Sequence, residues 1–340
     1  MRLALVSDAW SPQVNGVVNS LGHLVAGLRA GGDAVTVIAP DRYRTLPCPT
    51  YPEIRLALAG PAQVGRAIEA AEADFIHIAT EGPLGFLARR HALKTGRGFT
   101  TSYHTKFPEY LAARMPIPLS VSYAFMRRFH NAGLSCLVAT LSLKDDLERH
   151  GFRDLRLWPR GVDAELFRPR PGADLGLKRP VFLSVGRVAV EKNLDAFLSL
   201  DLPGTKLVVG DGPTRASLEQ RYPDAVFLGL KRGEALAEIY ASADVFVFPS
   251  RTDTFGNVML EAMASGLPVA AFPVTGPSDV IGCSSAGVLD ADLRHAALTA
   301  LAIPRRLPRE HALPFGWDRS VRLFRGHLME ANGAKLREAA

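Results

Sequence analysis

Two acids, Asp253 and Glu261, stand eight positions apart in the string Asp244-Val-Phe-Val-Phe-Pro-Ser-Arg-Thr-Asp-Thr-Phe-Gly-Asn-Val-Met-Leu-Glu-Ala-Met-Ala-Ser-Gly-Leu-Pro-Val-Ala-Ala-Phe272. One carboxylate at a loop tip and one on the following helix can each accept hydrogen bonds from a polyhydroxylated ligand. Gly256 between them lets backbone come close to such a ligand. The spacing alone favours the commoner arrangement, a solvated turn acid and a surface helical acid. A second pair, Arg187 and Lys192, flanks a strand-to-helix loop. Two cations at a helix start can stabilise the charge that develops on a departing phosphate, without a metal. Most such pairs are simply exposed charges.

The elements that must position these groups follow from periodicity. Val245 to Phe248 is a short β-rich run, as for a strand buried on both faces. Pro249 to Gly256 reads as loop and Val258 to Ala264 as helix, with Gly266 as its C-cap and Pro268 just beyond. Pro268 to Phe272 is again strand. In such a unit the loop leaves the carboxyl end of a parallel strand, where open α/β sheets bind ligands. The helix start beside it favours anions. The alternation recurs throughout. Leu3 to Ser7, Ala34 to Ala39, Ile54 to Leu58, Phe75 to Ala79, Phe99 to Tyr103, Cys136 to Leu141 and Leu155 to Pro159 are strand candidates. Helices are expected over 17–29, 62–73 and 84–95, and from an N-cap at Ser142 to His150. After the Pro-rich stretch 167–174 it restarts with strands at Val181 to Val185, Lys206 to Val209 and Val226 to Leu228, and a helix at 233–241. Residues 304–314 read as irregular, and Trp317 to Leu336 as an amphipathic helix. Two doubly wound α/β domains with a boundary near 160–175 are the expectation.

The long string with Asp253 and Glu261 resembles the acid-x7-acid signature of retaining nucleotide-sugar glycosyltransferases of family 4. The wording Thr-Asp-Thr-Phe-Gly-Asn with Glu-Ala-Met-Ala-Ser-Gly is most like the branch of sulfoquinovosyltransferases and GDP-mannose-dependent mannosyltransferases that act on lipids. Here Asp253 stands where the family usually has Glu, one methylene shorter. Gly-Arg-x3-Glu-Lys-Asn at 186–193, Ser-Tyr-His-Thr at 102–105, Asn15-Gly16-Val17 and Arg-Gly-Val-Asp at 160–163 are similar to further family strings. The resemblance implies the GT-B fold, two Rossmann-like domains facing a central cleft. Residues 1–160, joined by the C-terminal helix 316–340, would bind the acceptor, and 161–315 the nucleotide sugar. It implies that Arg187, Lys192 and Gly16 handle the diphosphate, with Gly210 and Gly212 in the donor site. Glu261 would hold the ribose. Asp253, Thr254, Phe255, Gly256, Asn257 and Val258 would hold the sugar, and His104 would contact it. Tyr103, Lys106, Arg127 and Arg128 are the expected acceptor contacts. No cofactor and no metal is expected, since no Asp-x-Asp motif appears in the strings that carry the resemblance. The expected reaction is transfer of a hexose, GDP-mannose favoured as donor and a UDP-sugar next, to a membrane glycolipid or diacylglycerol. An epimerase of the same fold and a non-catalytic nucleotide-sugar-binding protein are the alternatives.

Composition fits this reading. Of 340 residues 47% are apolar, enough for two cores. Three cysteines, Cys48, Cys136 and Cys283, lack disulfide-framework or zinc spacing, which points to a reducing compartment. The apolar run at the N-terminus is too short for a signal peptide, and no run of about 18 apolar residues exists to span a membrane. The expectation is a cytoplasmic protein, peripheral at the inner face of the membrane. Residues 1–160 hold 19 Lys and Arg against 13 Asp and Glu, and the rest holds 21 of each. This one-sided charge suits an anionic surface, although a basic proteome gives the same excess. No nucleic-acid motif is present, and none is expected as partner. The segment 111–133 is apolar with Arg114, Arg127, Arg128 and His130. It reads either as core helices with basic outer faces or as a surface that meets lipid headgroups.

Overall fold

The structure, a computed structural model, describes residues 1–13, 15–48, 51–112 and 117–338. Short β-rich runs bounded by Gly, Pro and Asp become strands, and the helical-period segments between them become crossovers. The first unit, Met1–Pro159 with Trp317–Ala340, holds β1 (Arg2–Val6), α1 (Gly16–Ala30), β2 (Ala34–Ile38), β3 (Thr45–Cys48), β4 (Tyr51–Ala57), α2 (Pro61–Ala70), β5 (Phe75–Ile78), α3 (Pro83–Lys94), β6 (Thr100–Tyr103), α4 (Phe107–Ala112), α5 (Leu119–His130), β7 (Ser135–Val138), α6 (Leu141–Arg149) and β8 (Leu155–Leu157). The second, Arg160–Gly316, holds β9 (Val181–Val185), α7 (Leu194–Leu198), β10 (Thr205–Val209), α8 (Arg215–Arg221), β11 (Val226–Phe227), α9 (Gly233–Ser242), β12 (Val245–Phe248), α10 (Asn257–Ala264), β13 (Val269–Ala271), α11 (Pro277–Val280), β14 (Gly287–Leu289), α12 (Leu293–Ala300) and α13 (Arg306–Ala312). The last helix, α14 (Trp317–Glu338), returns to the first unit.

Each unit is built on a six-stranded sheet, ordered β2-β1-β5-β6-β7-β8 and β11-β10-β9-β12-β13-β14, parallel throughout. Strand order reverses between β1 and β5 in one and between β9 and β12 in the other. Loops after those strands therefore open a crevice at the carboxyl edge. β3 and β4 form a separate antiparallel hairpin, of which the sequence reading held only the second arm.

α14 is fastened by apolar burial and by several polar ties. Phe324 and Leu328 are buried among Leu21, Leu24, Leu28, Leu137 and Trp158. Trp158 Nε1 donates to Ser320 O at 3.1 Å, and Arg325 Nε lies 3.2 Å from Asp33 Oδ2. The chain crosses between the units twice. The two crossings run side by side, with Val162 N donating to Phe315 O at 2.8 Å.

Three element boundaries depart from expectation. α6 is capped by Thr140, whose hydroxyl accepts from Leu143 N at 3.3 Å, and not by Ser142. The strand before it ends at Val138 because Leu141, apolar but 60% exposed, belongs to the helix. Residues 306–312 are helical, with Pro308 in the first turn where its missing N–H costs nothing. His130, expected on a basic outer face, is buried. Arg114 and Met115 of that segment lie outside the described residues.

The helix starts differ in what fills them. Asn15 Oδ1 accepts from Val17 N and Val18 N, both at 3.0 Å, and closes α1. Asn15→Ala is expected to lower stability by about 1 kcal/mol, read as an earlier denaturant midpoint with unchanged slope. Asp8 closes α3, accepting from Leu84 N at 2.9 Å and Gly85 N at 3.2 Å. α10 has no acid in its first turn, and its N-cap, Gly256, has no side chain to offer.

Candidate active site

The second unit brings its charged residues to the β9/β12 switch point. Arg187 follows β9 directly. Lys192 ends a 3-10 turn over Val190–Lys192, and Asn193 then adopts left-handed backbone, φ 53°, before α7 begins. Asn193 Nδ2 donates to Pro249 O at 3.0 Å, which ties this loop to the exit of β12. Gly186, Arg187, Lys192, Pro249 and Ser250 line one small pocket. Lys192 Nζ also donates to Asp253 Oδ1 at 2.6 Å. The other oxygen, Asp253 Oδ2, is buried with no hydrogen-bond partner among the described residues. A buried carboxylate oxygen without a donor costs free energy unless a ligand supplies one.

Gly256 holds φ +85°, and a Cβ there would lie 2.7 Å from Met259 Cε and 3.1 Å from Phe248 Cζ. Only glycine fits, and that turn aims the start of α10 outward. Phe255 is buried beneath the loop, while Thr254, Asn257 and Val258 are half-buried. Gly276, at φ +92°, packs under the same loop, where a Cβ would meet Asp253 O at 2.8 Å. Glu261 lies on α10, half-buried. Burial pushes its pKa up to about 7, and the hydrogen bond from Tyr240 opposes that rise. The Tyr240 hydroxyl donates to Glu261 Oε2 at 3.0 Å.

Gly210 and Gly212 serve a contact between loops. A Cβ on Gly210 would sit 1.8 Å from Gly186 O, and one on Gly212 would sit 2.4 Å from Val188 O. Their missing side chains let the β10 loop lie on the loop that carries Arg187.

In the first unit, His104 follows β6 and is nearly buried, its ring edge-on to Trp158 at 6.0 Å. Tyr103, expected to touch the acceptor, is wholly enclosed with Tyr123, Met126, Val138 and Phe152. β6 is covered on both faces, so the Tyr103 side chain packs into the core and exposes no atom. Lys106 lies 4.0 Å from Asp146 Oδ2. Arg127 and Arg128 are exposed on α5, and Arg127 Nη1 donates to His150 O at 3.0 Å. Gly16 is exposed at the first turn of α1, where Asn15 already takes the next two amides.

Two features escaped sequence reasoning. Glu81, on the loop after β5, lies 3.0 Å from Nε2 of the enclosed His130, whose Nδ1 is 2.9 Å from Thr101 Oγ1. Burial pushes the His130 pKa down, the Cys136 thiol and the Glu81 carboxylate push it up, and the net shift is upward. Tyr240 is the other. Both depend on contacts 21 or more residues apart, which no local pattern reveals.

Two parallel sheets in this order, with the charges gathered at a switch point, define a GT-B protein. The chain superposes on sucrose-phosphate synthase of Thermosynechococcus elongatus with a TM-score of 0.76, at 21% identity, over 99% of both chains. The profile described as Glycosyltransferase Family 4 matches residues 14–166, and that described as Glycosyl transferases group 1 matches 179–303. Over 315 residues the chain is 33% identical to the GDP-mannose-dependent alpha-mannosyltransferase of Mycobacterium tuberculosis, covering 85% of this chain and 83% of that one. It is 34% identical over 312 residues to the sulfoquinovosyl transferase SQD2 of Arabidopsis thaliana, covering 82% and 61%. The chain belongs to glycosyltransferase family 4.

Proposed function

We propose that this glycosyltransferase moves a hexose, with retention at its anomeric carbon, from a nucleotide sugar to a membrane lipid. The observation that carries this reading is the pairing of Lys192 with Asp253 at 2.6 Å, with the second Asp253 oxygen buried and unpartnered. Sugar hydroxyls are the donors that oxygen lacks. Arg187, Lys192 and the open start of α10 carry the diphosphate, and Glu261 holds the ribose. In the step itself the bond from C1 to the phosphate oxygen breaks as the acceptor oxygen bonds to C1 on the same face. The acceptor hydroxyl proton passes to the departing phosphate oxygen. No separate base is needed, and His104 orients the sugar. The two cations do the electrostatic work a metal does elsewhere, so excess EDTA is expected to leave the rate unchanged.

GDP-mannose is the first donor and a UDP-sugar the second. A lipid acceptor is supported by α5, where Leu119, Val121 and Phe125 are exposed beside Arg127 and Arg128. Among the described residues no helix is long and apolar enough to cross a membrane, so contact would be peripheral. The test offers GDP-mannose, UDP-glucose and UDP-galactose in turn, with and without diacylglycerol in anionic vesicles, and reads nucleoside diphosphate. Release from one donor only when lipid is present is the expected result. Equal release without lipid would point to hydrolysis, epimerisation or a soluble acceptor, and would overturn the lipid reading.

A further inference from the structure

The Tyr240–Glu261 hydrogen bond joins two elements that share no sequence neighbourhood. Tyr240, on α9, has no exposed surface. Its ring is held edge-on by Phe167 at 5.6 Å and tilted against Phe246 at 5.8 Å. The hydroxyl reaches Glu261 Oε2 at 3.0 Å and, less closely, Val258 O at 3.4 Å. A fully buried phenol is a costly way to fill a core when phenylalanine has the same shape. The hydroxyl has work to do on α10.

We infer that Tyr240 is a positioning residue for nucleotide binding: it fixes one oxygen of Glu261 so that the other presents charged lone pairs to the ribose 2′- and 3′-hydroxyls. This rests on Glu261 as the ribose carboxylate of the function proposed above. The same bond sets the pH at which the carboxylate is ready. Burial raises the pKa of Glu261 to about 7, and Tyr240, by donating to the charged form, works against that rise. Among the described residues, Tyr240 is the titratable group that acts on Glu261. On α13, which packs against α10, Arg309 is spent on the carbonyls of Ala264, Phe167 and Ala164, Arg306 pairs with Glu310, and His311 faces Val280 O. Arg305 is held by the carbonyls of Ala241 and Ala243, and Asp253 pairs with Lys192. A group with a raised pKa is neutral below that value. Ribose recognition is therefore weak in acid, rises through about pH 7, and rises later when Tyr240 is removed.

The test measures Kd for GDP and UDP and for their 2′,3′-dideoxy forms between pH 6 and 8.5, with wild type, Tyr240→Phe and Glu261→Gln. The ratio of dideoxy to ribose Kd isolates the hydroxyls, because both nucleotides carry the same titrating phosphate. In wild type this ratio should grow with pH. In Tyr240→Phe it should fall about tenfold to a hundredfold at pH 7, as for one hydrogen bond to a charged group, and recover at higher pH. In Glu261→Gln it should be small and flat. Installing 3-fluorotyrosine at position 240, a stronger donor of the same shape, should move the wild-type midpoint down. That arm keeps the inference testable should Tyr240→Phe not fold. A wild type that ignores the ribose hydroxyls, or binds neither nucleotide, overturns the ribose role of Glu261 itself. A wild type that reads them, with both Tyr240 replacements giving its ratio and midpoint unchanged, overturns the positioning role alone.

Discussion

Arg187→Ala is expected to lower kcat by about 10²–10³-fold, the cost of one preorganised donor to a developing anion, or roughly 2–4 kcal/mol. The loss should fall on kcat more than on KM, because the leaving phosphate gains charge only as the C1–O bond breaks. Arg187 sits on the loop that leaves β9, beside Lys192 at the edge of one pocket. Its neighbour is partly engaged, since Lys192 Nζ is already 2.6 Å from Asp253 Oδ1. The fold should be untouched, because Arg187 is half-exposed and lies outside the core. Single-turnover rates with matching melting curves check this. A rate within about threefold of wild type would remove the phosphate role, since even a weak charged contact is worth more.

Gly210→Ala is expected to destabilise the second unit by about 3–5 kcal/mol, in the class of forced backbone clashes. The new Cβ would stand 1.8 Å from Gly186 O and 2.9 Å from Gly186 C. Neither is a side chain that can swing away. The backbone, at φ +142°, is one that other residues rarely adopt. Either the β10 loop lifts, breaking the bond from Gly186 N to Val209 O at 3.0 Å, or the Arg187 loop shifts. Gly212→Ala should act in the same direction, since its Cβ would meet Val188 O at 2.4 Å. Denaturant melts read both. A loss under about 0.5 kcal/mol, the range of an ordinary surface change, would contradict the tight loop contact.

The strand runs were legible because parallel strands buried on both faces need unbroken apolar stretches, as Val245–Phe248 and Val181–Val185 show. The Asp253 and Arg187 loops were legible for a related reason: their glycines and charges sit next to those runs. What escaped was decided by tertiary context. Leu141 looks like strand and is helix because the Thr140 cap starts α6 at it. Tyr103 looks like a ligand contact and is core because β6 is covered on both faces. The β3–β4 hairpin has no strong turn dipeptide to announce it. Tyr240 reads as one more apolar residue on α9, and its hydroxyl acquires meaning only once α10 is folded beside it.

The central claim is transfer with retention, in which the departing phosphate takes the acceptor proton. It is tested most directly by the configuration at C1 of the product. Donor with an α-linked sugar is turned over with diacylglycerol vesicles, the glycolipid is isolated, and its anomeric carbon is assigned by NMR. An α-linked product, formed one for one with nucleoside diphosphate, is the predicted result. A β-linked product would require attack from the opposite face and a separate base, and would rule out retention.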